Sequence, residues 1–354
     1  MHSRRAFMRF LAASPLYVGA AYFERSFAQI VPAQAGDIPI ARAGDALDVF
    51  DFEPVAHRNI PPAHWGYLAS GVDGEETLRA NREAYSRYQL QTRRMIDVGK
   101  IDMSVELFGT KFNSPIILCP LGAQRAFHPE GEIAVAKAAR ARGHLQILST
   151  VTSTGVEDVI AARGAPVWFQ LYTTSSFDLT TKLVRRAEAA GCPAVAVTVD
   201  LPAGRNLETA LRLARTDTRT CTACHAPTGS ALFSRPMFSQ LDTAGVQIAS
   251  PTLTWDFIKR LRDVTRMKIL IKGLESGQDA GLAVANGADA LKALALGATA
   301  VGIGRPYIWG LGAYGQAGVD RVLELLNNEL MLAMVGVGAR NLREITHAAI
   351  IRPA

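Results

Sequence analysis

At 354 residues, 49% hydrophobic and 20% charged, the chain has the balance of a globular protein with a sizeable core, which excludes general disorder, collagen-like repeats and coiled coils. Four cysteines (Cys119, Cys192, Cys221 and Cys224) are too few to staple a chain this long, so the fold must stand on packing. The formal charge of +6 falls to +3 once residues 1–35 are set aside, and no basic run with interleaved aromatics survives, so no nucleic-acid partner is expected.

Residues 1–35 have the order of an export signal: Arg4, Arg5 and Arg9, then an apolar stretch over 10–23, then the small-residue site Ala33-Gln34-Ala35. The stretch is shorter than the ~20 residues of a membrane span. Paired arginines followed by Phe7 resemble a twin-arginine signal, which predicts a periplasmic protein. The competing reading is a basic amphipathic helix on a cytoplasmic protein.

Residues 36–113 read as an N-terminal helical region and 114–354 as an α/β barrel with a long loop over 201–251. The run Pro115-Ile116-Ile117-Leu118-Cys119-Pro120 predicts a strand ended by a glycine-bearing turn, followed by a helix over 131–142. The pattern repeats with strands over 145–150, 167–172, 194–200, 269–272 and 301–303, six in all with the first, and with helices such as 179–190 and 255–264. Near-continuous apolar strands alternating with helices predict a parallel sheet with a covered outer face. The segment 201–251 breaks the rhythm and reads as a mobile, functional loop.

Polar side chains recur at the C-terminal ends of these strands: Ser149, Gln170 with Tyr172, Thr198 with Asp200, and Lys272. In a closed barrel those ends converge on one mouth. A doubly wound dinucleotide site needs G-x-G-x-x-G, whereas the first turn reads Pro120-Leu121-Gly122-Ala123-Gln124 and Gly302-Ile303-Gly304 is followed by Arg305. Cys221-Thr222-Ala223-Cys224-His225 has the C-x-x-C-H pattern of covalent haem attachment, and so of a haem-carrying electron-transfer protein. It lies in the long loop with no flanking helices, where a thiol pair or disulfide is the competing reading.

From about residue 51 onward the chain resembles the FMN-dependent 2-hydroxy-acid oxidases and dehydrogenases, the family of glycolate and lactate oxidases. The resemblance runs through Tyr67-Leu68-Ala69-Ser70-Gly71, Pro129-Glu130-Gly131-Glu132, Phe169-Gln170-Leu171-Tyr172, Thr198-Val199-Asp200, Ile271-Lys272-Gly273, Lys292-Ala293-Leu294-Ala295-Leu296-Gly297-Ala298 and Ile303-Gly304-Arg305-Pro306. It implies a TIM (β/α)8-type barrel and oxidation of a small (S)-2-hydroxy acid to the 2-oxo acid with FMN as cofactor. It also implies a homo-oligomer and an acceptor that is oxygen, quinone or cytochrome. Carried over by position, Pro120, Leu121 and Gly122 would meet the flavin ring through backbone, and Ser149, Gln170 and Thr198 its polar edge. Lys272 would stabilise the anionic reduced flavin, and Gly304 and Arg305 would grip its phosphate. Tyr67 and Tyr172 would hold the substrate, Arg205 would supply a basic contact, and Asp200 would orient the catalytic histidine.

That histidine is missing. The family's Ser-Asn-His-Gly-Gly-Arg and Asp-Gly-Gly-x-Arg segments have no counterpart, because Asn286-Gly287-Ala288-Asp289-Ala290 is followed at once by the helical pattern from Leu291. The expectation is a barrel without its sixth and seventh strands, an internal deletion at Ala290/Leu291 of ~50 residues. The chain is then impaired in catalysis, or a non-catalytic flavin-binding remnant.

Overall fold

The computed structural model describes residues 40–201, 204–219, 221, 233–248, 252–286 and 298–351. The leader, the Cys224-His225 part of the haem-type motif and the Ala290/Leu291 junction lie outside these residues.

The described chain opens with α1 (Phe52–Asn59), α2 (Pro62–Ala69) and α3 (Glu76–Glu83). Asp48 and Asp51 form a reciprocal capping box ahead of α1, and Pro62 starts α2 at a position that needs no donor. Next come β1 (Gln89–Leu90) and the hairpin of β2 (Val105–Leu107) with β3 (Thr110–Phe112), turning at Gly109. The region read as helical over 36–113 therefore carries helices only in its first part. The three-residue strands β2 and β3 are too short for a two-residue period to stand out.

The remaining elements in order are β4 (Ile116–Leu118), α4 (Gly131–Arg142), β5 (Leu145–Ser149), α5 (Val156–Arg163), β6 (Trp168–Tyr172), α6 (Phe177–Ala189) and β7 (Ala194–Thr198). They continue with α7 (Glu208–Ala214), α8 (Trp255–Val264), β8 (Lys268–Lys272), α9 (Gly277–Ala285), β9 (Val301–Ile303), α10 (Arg305–Val337) and β10 (Ile350–Ile351), which pairs with β1. Helix α7 corrects the reading of 201–251 as loop throughout: Leu207, Ala210, Leu211 and Ala214 have helical spacing.

Six strands form one parallel sheet in the order β8-β7-β6-β5-β4-β9. The last strand pairs with the first, in the register Ile116↔Val301, Ile117↔Gly302 and Leu118↔Ile303. This is the order of a (β/α)8 ring opened between β8 and β9, as the missing sixth and seventh strands require. The wall is exposed at that opening: Val301 on β9 is 52% accessible, whereas β7 is buried throughout.

Alternation along each strand sorts the core. Phe169, Leu171, Val195, Val197 and Ile269 face outward onto Val159, Leu183, Val184, Ile258 and Leu261 of α5, α6 and α8. At the opposite face, Ile117, Trp168 and Ala194 meet Val105, Leu107 and Phe112, so the β2–β3 hairpin plugs the barrel floor. A further core joins α1, α4 and α10 through Phe52, Val55, Val135, Ala138, Ile308, Leu311, Val319 and Leu323. Helix α10 kinks at Tyr314 and Gly315, where the Tyr314 hydroxyl donates to the Ile40 carbonyl at 2.6 Å.

Gly302 is the tight point of the β4–β9 seam, since a Cβ there would lie 2.3 Å from Cys119 Sγ. Gly302→Ala is expected to lose about 1–3 kcal/mol in urea unfolding through overpacking. Adding Cys119→Ala should restore most of the loss, which a double-mutant cycle measures.

Candidate active site

The inward face of the sheet turns polar at its C-terminal end. Ser149 Oγ donates to Gln170 Oε1 at 3.0 Å and Gln170 Nε2 donates to Thr198 Oγ1 at 2.8 Å, all three residues being buried. Thr198 is the register partner of Lys272, which extends the row to the edge strand. There Lys272 Nζ lies 3.2 Å from Asp200 Oδ2. Gly273 follows with φ +102°, and a Cβ on it would stand 2.5 Å from Asp200 Cβ, so the glycine lets the carboxylate sit against the strand end.

Beside the Ser149 end of this row runs the turn after β4, where a Cβ on Gly122 would lie 3.5 Å from Ser149 Oγ. The N–H groups of Leu121 and Gly122 find no protein acceptor among the described residues, which leaves donors open at the mouth. Glu132, fully buried in α4, fixes this turn to the one after β5. Its carboxylate accepts from Gln124 N–H (3.1 Å), Ser153 N–H (2.8 Å), Ser153 Oγ (2.9 Å) and Thr154 Oγ1 (3.0 Å). Gln124 Nε2 donates to the Leu121 carbonyl, while the Tyr307 hydroxyl donates to the Cys119 carbonyl at 2.7 Å. Gln124 Oε1 is left buried without a partner. Burial pushes the Cys119 thiol up and the Lys272 charge opposes it, so the lysine acts across the barrel interior.

Tyr67 on α2 and Tyr172 at the end of β6 are close enough to act on each other electrostatically. Burial pushes the Tyr172 phenol up to about 12, with Tyr67 raising it further and Arg205 opposing. Desolvation around its hydroxyl also raises Tyr67, with Arg205 and Arg235 opposing. The Tyr67 ring stacks on Phe127 at 6.2 Å between centroids. Arg205 is itself exposed. Arg235 did not emerge from the sequence: it is a lone arginine in a polar loop, and only the neighbouring Met237 and Phe238 hinted that this part of the loop is anchored.

At the far end Gly304 caps α10. Arg305 Nε donates to the Leu68 carbonyl (2.9 Å) and Nη2 to the Ser70 carbonyl (3.1 Å). The guanidinium therefore ties the start of α10 to the end of α2, the helix that carries Tyr67. Asp200 meets Lys272 in this structure, not an imidazole. His144 is a core histidine between the Ile116 carbonyl (2.8 Å) and Asn327 (3.0 Å), and burial lowers its pKa. His57 stacks on Trp65. No cluster of metal-ligating side chains occurs among the described residues.

The FMN-dependent dehydrogenase model matches residues 56–291 and 283–352, and this chain belongs to that family. The two matched stretches meet at the junction read from sequence. Among curated relatives, glycolate oxidase 1 of Zea mays is 33% identical over 367 positions, covering 87% of this chain and 96% of the maize protein. The 2-hydroxyacid oxidase of Dictyostelium discoideum is 32% identical, covering 87% and 91%. A crystal structure of mandelate oxidase superposes with a TM-score of 0.72 at 31% identity, covering 84% of this chain and 96% of that one. Since 87% of 354 residues is about 308, the 367 aligned positions of the maize protein include roughly 59 with no residue here.

Two outcomes test the geometry. Glu132→Ala strands four donors and should lower stability by at least about 2 kcal/mol in denaturant unfolding. For Tyr172, the unfolded phenol ionises near 10.0 and the folded one at about 12, so the unfolded chain releases its proton first and stability falls as pH rises through that window. Tyr172→Phe should flatten this decline in unfolding midpoints measured against pH.

Proposed function

We propose that this chain binds FMN in the mouth of its open barrel and takes a small (S)-2-hydroxy acid of the lactate or glycolate class beside it, with oxidation slow because the family's base is absent. One observation carries the reading: the row Ser149, Gln170, Thr198 and Lys272 is continued at its Ser149 end by the N–H groups of Leu121 and Gly122, which have no protein acceptor among the described residues. Donors at one end and a polar ladder ending in a cation at the other fit the heteroatom edge of a flavin, and Gln124, whose Oε1 is buried without a partner, holds the Leu121 carbonyl in the same turn. Bound there, FMN supplies a two-electron acceptor.

The chain's own groups then have separable tasks. Lys272 holds a fixed positive charge where negative charge develops. Tyr67 and Tyr172, both raised in pKa, stay protonated and donate hydrogen bonds to the substrate's carboxylate and hydroxyl. Gly304 and Arg305 lie at the N-terminus of α10, where a phosphate is favoured. Among the described residues Asp200 has Lys272 as partner and no imidazole to orient, so proton removal from the substrate carbon lacks a positioned acceptor there. The relatives' names support an oxidase or dehydrogenase of 2-hydroxy acids; the reading further takes it as exported on its twin-arginine-type leader, assembled as a homo-oligomer and reoxidised by oxygen, quinone or cytochrome.

The test is titration of the purified chain with FMN, read by quenching of flavin fluorescence, followed by anaerobic mixing with glycolate or (S)-lactate. Quenching is expected. Bleaching should run at about 10⁻³–10⁻¹ per second, a median enzymatic rate of ~10 per second reduced by ~10²–10⁴ for a missing general base. Unquenched flavin would overturn the binding site, and bleaching near 10 per second or faster would show that another group removes the proton.

A further inference from the structure

Arg235 is a buried cation with no counter-ion among the described residues. It is 7% exposed, its Nε and Nη1 have no acceptor, and its guanidinium makes no ion pair among the described residues. Other arginines have both Nη groups, or a carboxylate, engaged. Arg163 gives Nη1 to the Pro166 carbonyl and Nη2 to the His144 carbonyl, both at 2.7 Å, and Arg142 is bidentate on Asp320. A guanidinium with two of its three nitrogens buried and unbonded is held at a free-energy cost that an arriving anion removes.

The backbone holds Arg235 in that state. Its carbonyl accepts from Phe238 N–H at 2.9 Å, Met237 and Phe238 are buried in the core, and the Pro236 carbonyl accepts from Arg186 Nη1 at 2.7 Å. The segment belongs to the loop leaving β7, on the C-terminal face where a barrel binds its ligands. Further along, the same loop is pinned to the turn after β6: Ser175 N–H donates to the Gln247 carbonyl (2.9 Å) and Gln247 N–H donates to Ser175 Oγ (3.0 Å). Arg235 is near enough to the Tyr67 hydroxyl to counter the rise of its pKa, as Arg205 is.

We infer that Arg235 is a substrate-binding residue that receives the carboxylate of the 2-hydroxy acid, together with Tyr67 and Arg205. This rests on the function proposed above and supplies, from the loop after β7, the carboxylate clamp that the missing segment would otherwise carry. A carboxylate is favoured over the cofactor phosphate because Arg235 shares the neighbourhood of Tyr67, whereas the start of α10 with Arg305 forms the separate phosphate end.

The experiment uses the full chain, with and without FMN, and sodium oxalate as the probe against sodium chloride of matched ionic strength. Oxalate should raise the melting temperature of the wild type. Arg235→Met should melt higher than the wild type without oxalate, because a buried unpaired charge is gone, and should bind oxalate about tenfold or more weakly. Arg163→Met, which removes two hydrogen bonds to the Pro166 and His144 carbonyls, should melt lower. If Arg235→Met yields no folded protein, Arg235→Lys carries the test, with oxalate affinity reduced by about tenfold or more. The inference is overturned by a wild type indifferent to oxalate, by a variant that melts lower with oxalate affinity intact, or by a loss of FMN affinity in place of oxalate affinity. FMN titration of the wild type gauges the parent reading separately. Oxalate binding through Arg235 without FMN binding sinks that reading alone, and FMN binding with an oxalate response independent of Arg235 sinks this one alone.

Discussion

Parallel pairing of β9 with β4 preserves the order of a ring in a wall that has lost part of its circumference. The seam Ile116↔Val301 to Leu118↔Ile303 places the start of α10 beside the turn after β4, so Arg305 and Gly304 stand next to the mouth. Strand inclination and stagger in a barrel follow from the number of strands, and six strands cannot keep the eight-strand geometry and also close. The chain keeps the local register of each neighbouring pair and gives up closure. That choice leaves the inner faces of β5 to β8 aligned as in a complete barrel, which is why the polar row from Ser149 to Lys272 is still continuous.

Two kinds of interaction hold the mouth in shape. Glu132 binds the turns after β4 and β5 from below, its partners among the described residues being neutral hydrogen-bond donors, so its charge is dispersed over backbone and hydroxyl groups. Arg305 works from the side, joining the last strand's helix to the carbonyls at the end of α2. Lys272 with Asp200 differs from both: each side chain is about two-fifths exposed, and such a pair contributes little to stability. Its value lies in where it puts charge, at the edge strand beside the opening.

The architecture was legible wherever apolar runs had the length of a strand and were punctuated by glycine. The six strands, the row of polar strand ends and the break after Ala290 follow from residue order alone, because each β-α unit is a local pattern. The hairpin β2–β3 was not legible, since three-residue strands carry too little periodicity, and α7 was hidden by the polar composition around it. The site divides in the same way. Ser149, Gln170, Thr198 and Lys272 sit at predictable strand ends, whereas the burial of Arg235 depends on a loop folding back through Met237, Phe238 and Gln247. No spacing rule connects those positions.

The seam between β4 and β9 joins Ile116 to Val301, 185 positions apart. Contacts of such separation form late and slow the search for the native state. While the chain emerges from the ribosome, the free edge of β4 waits for a partner encoded near the end of the message, and that edge is a template for pairing with other chains. The yield of soluble protein should therefore depend on elongation speed and on chaperone supply more than on the final depth of the energy minimum.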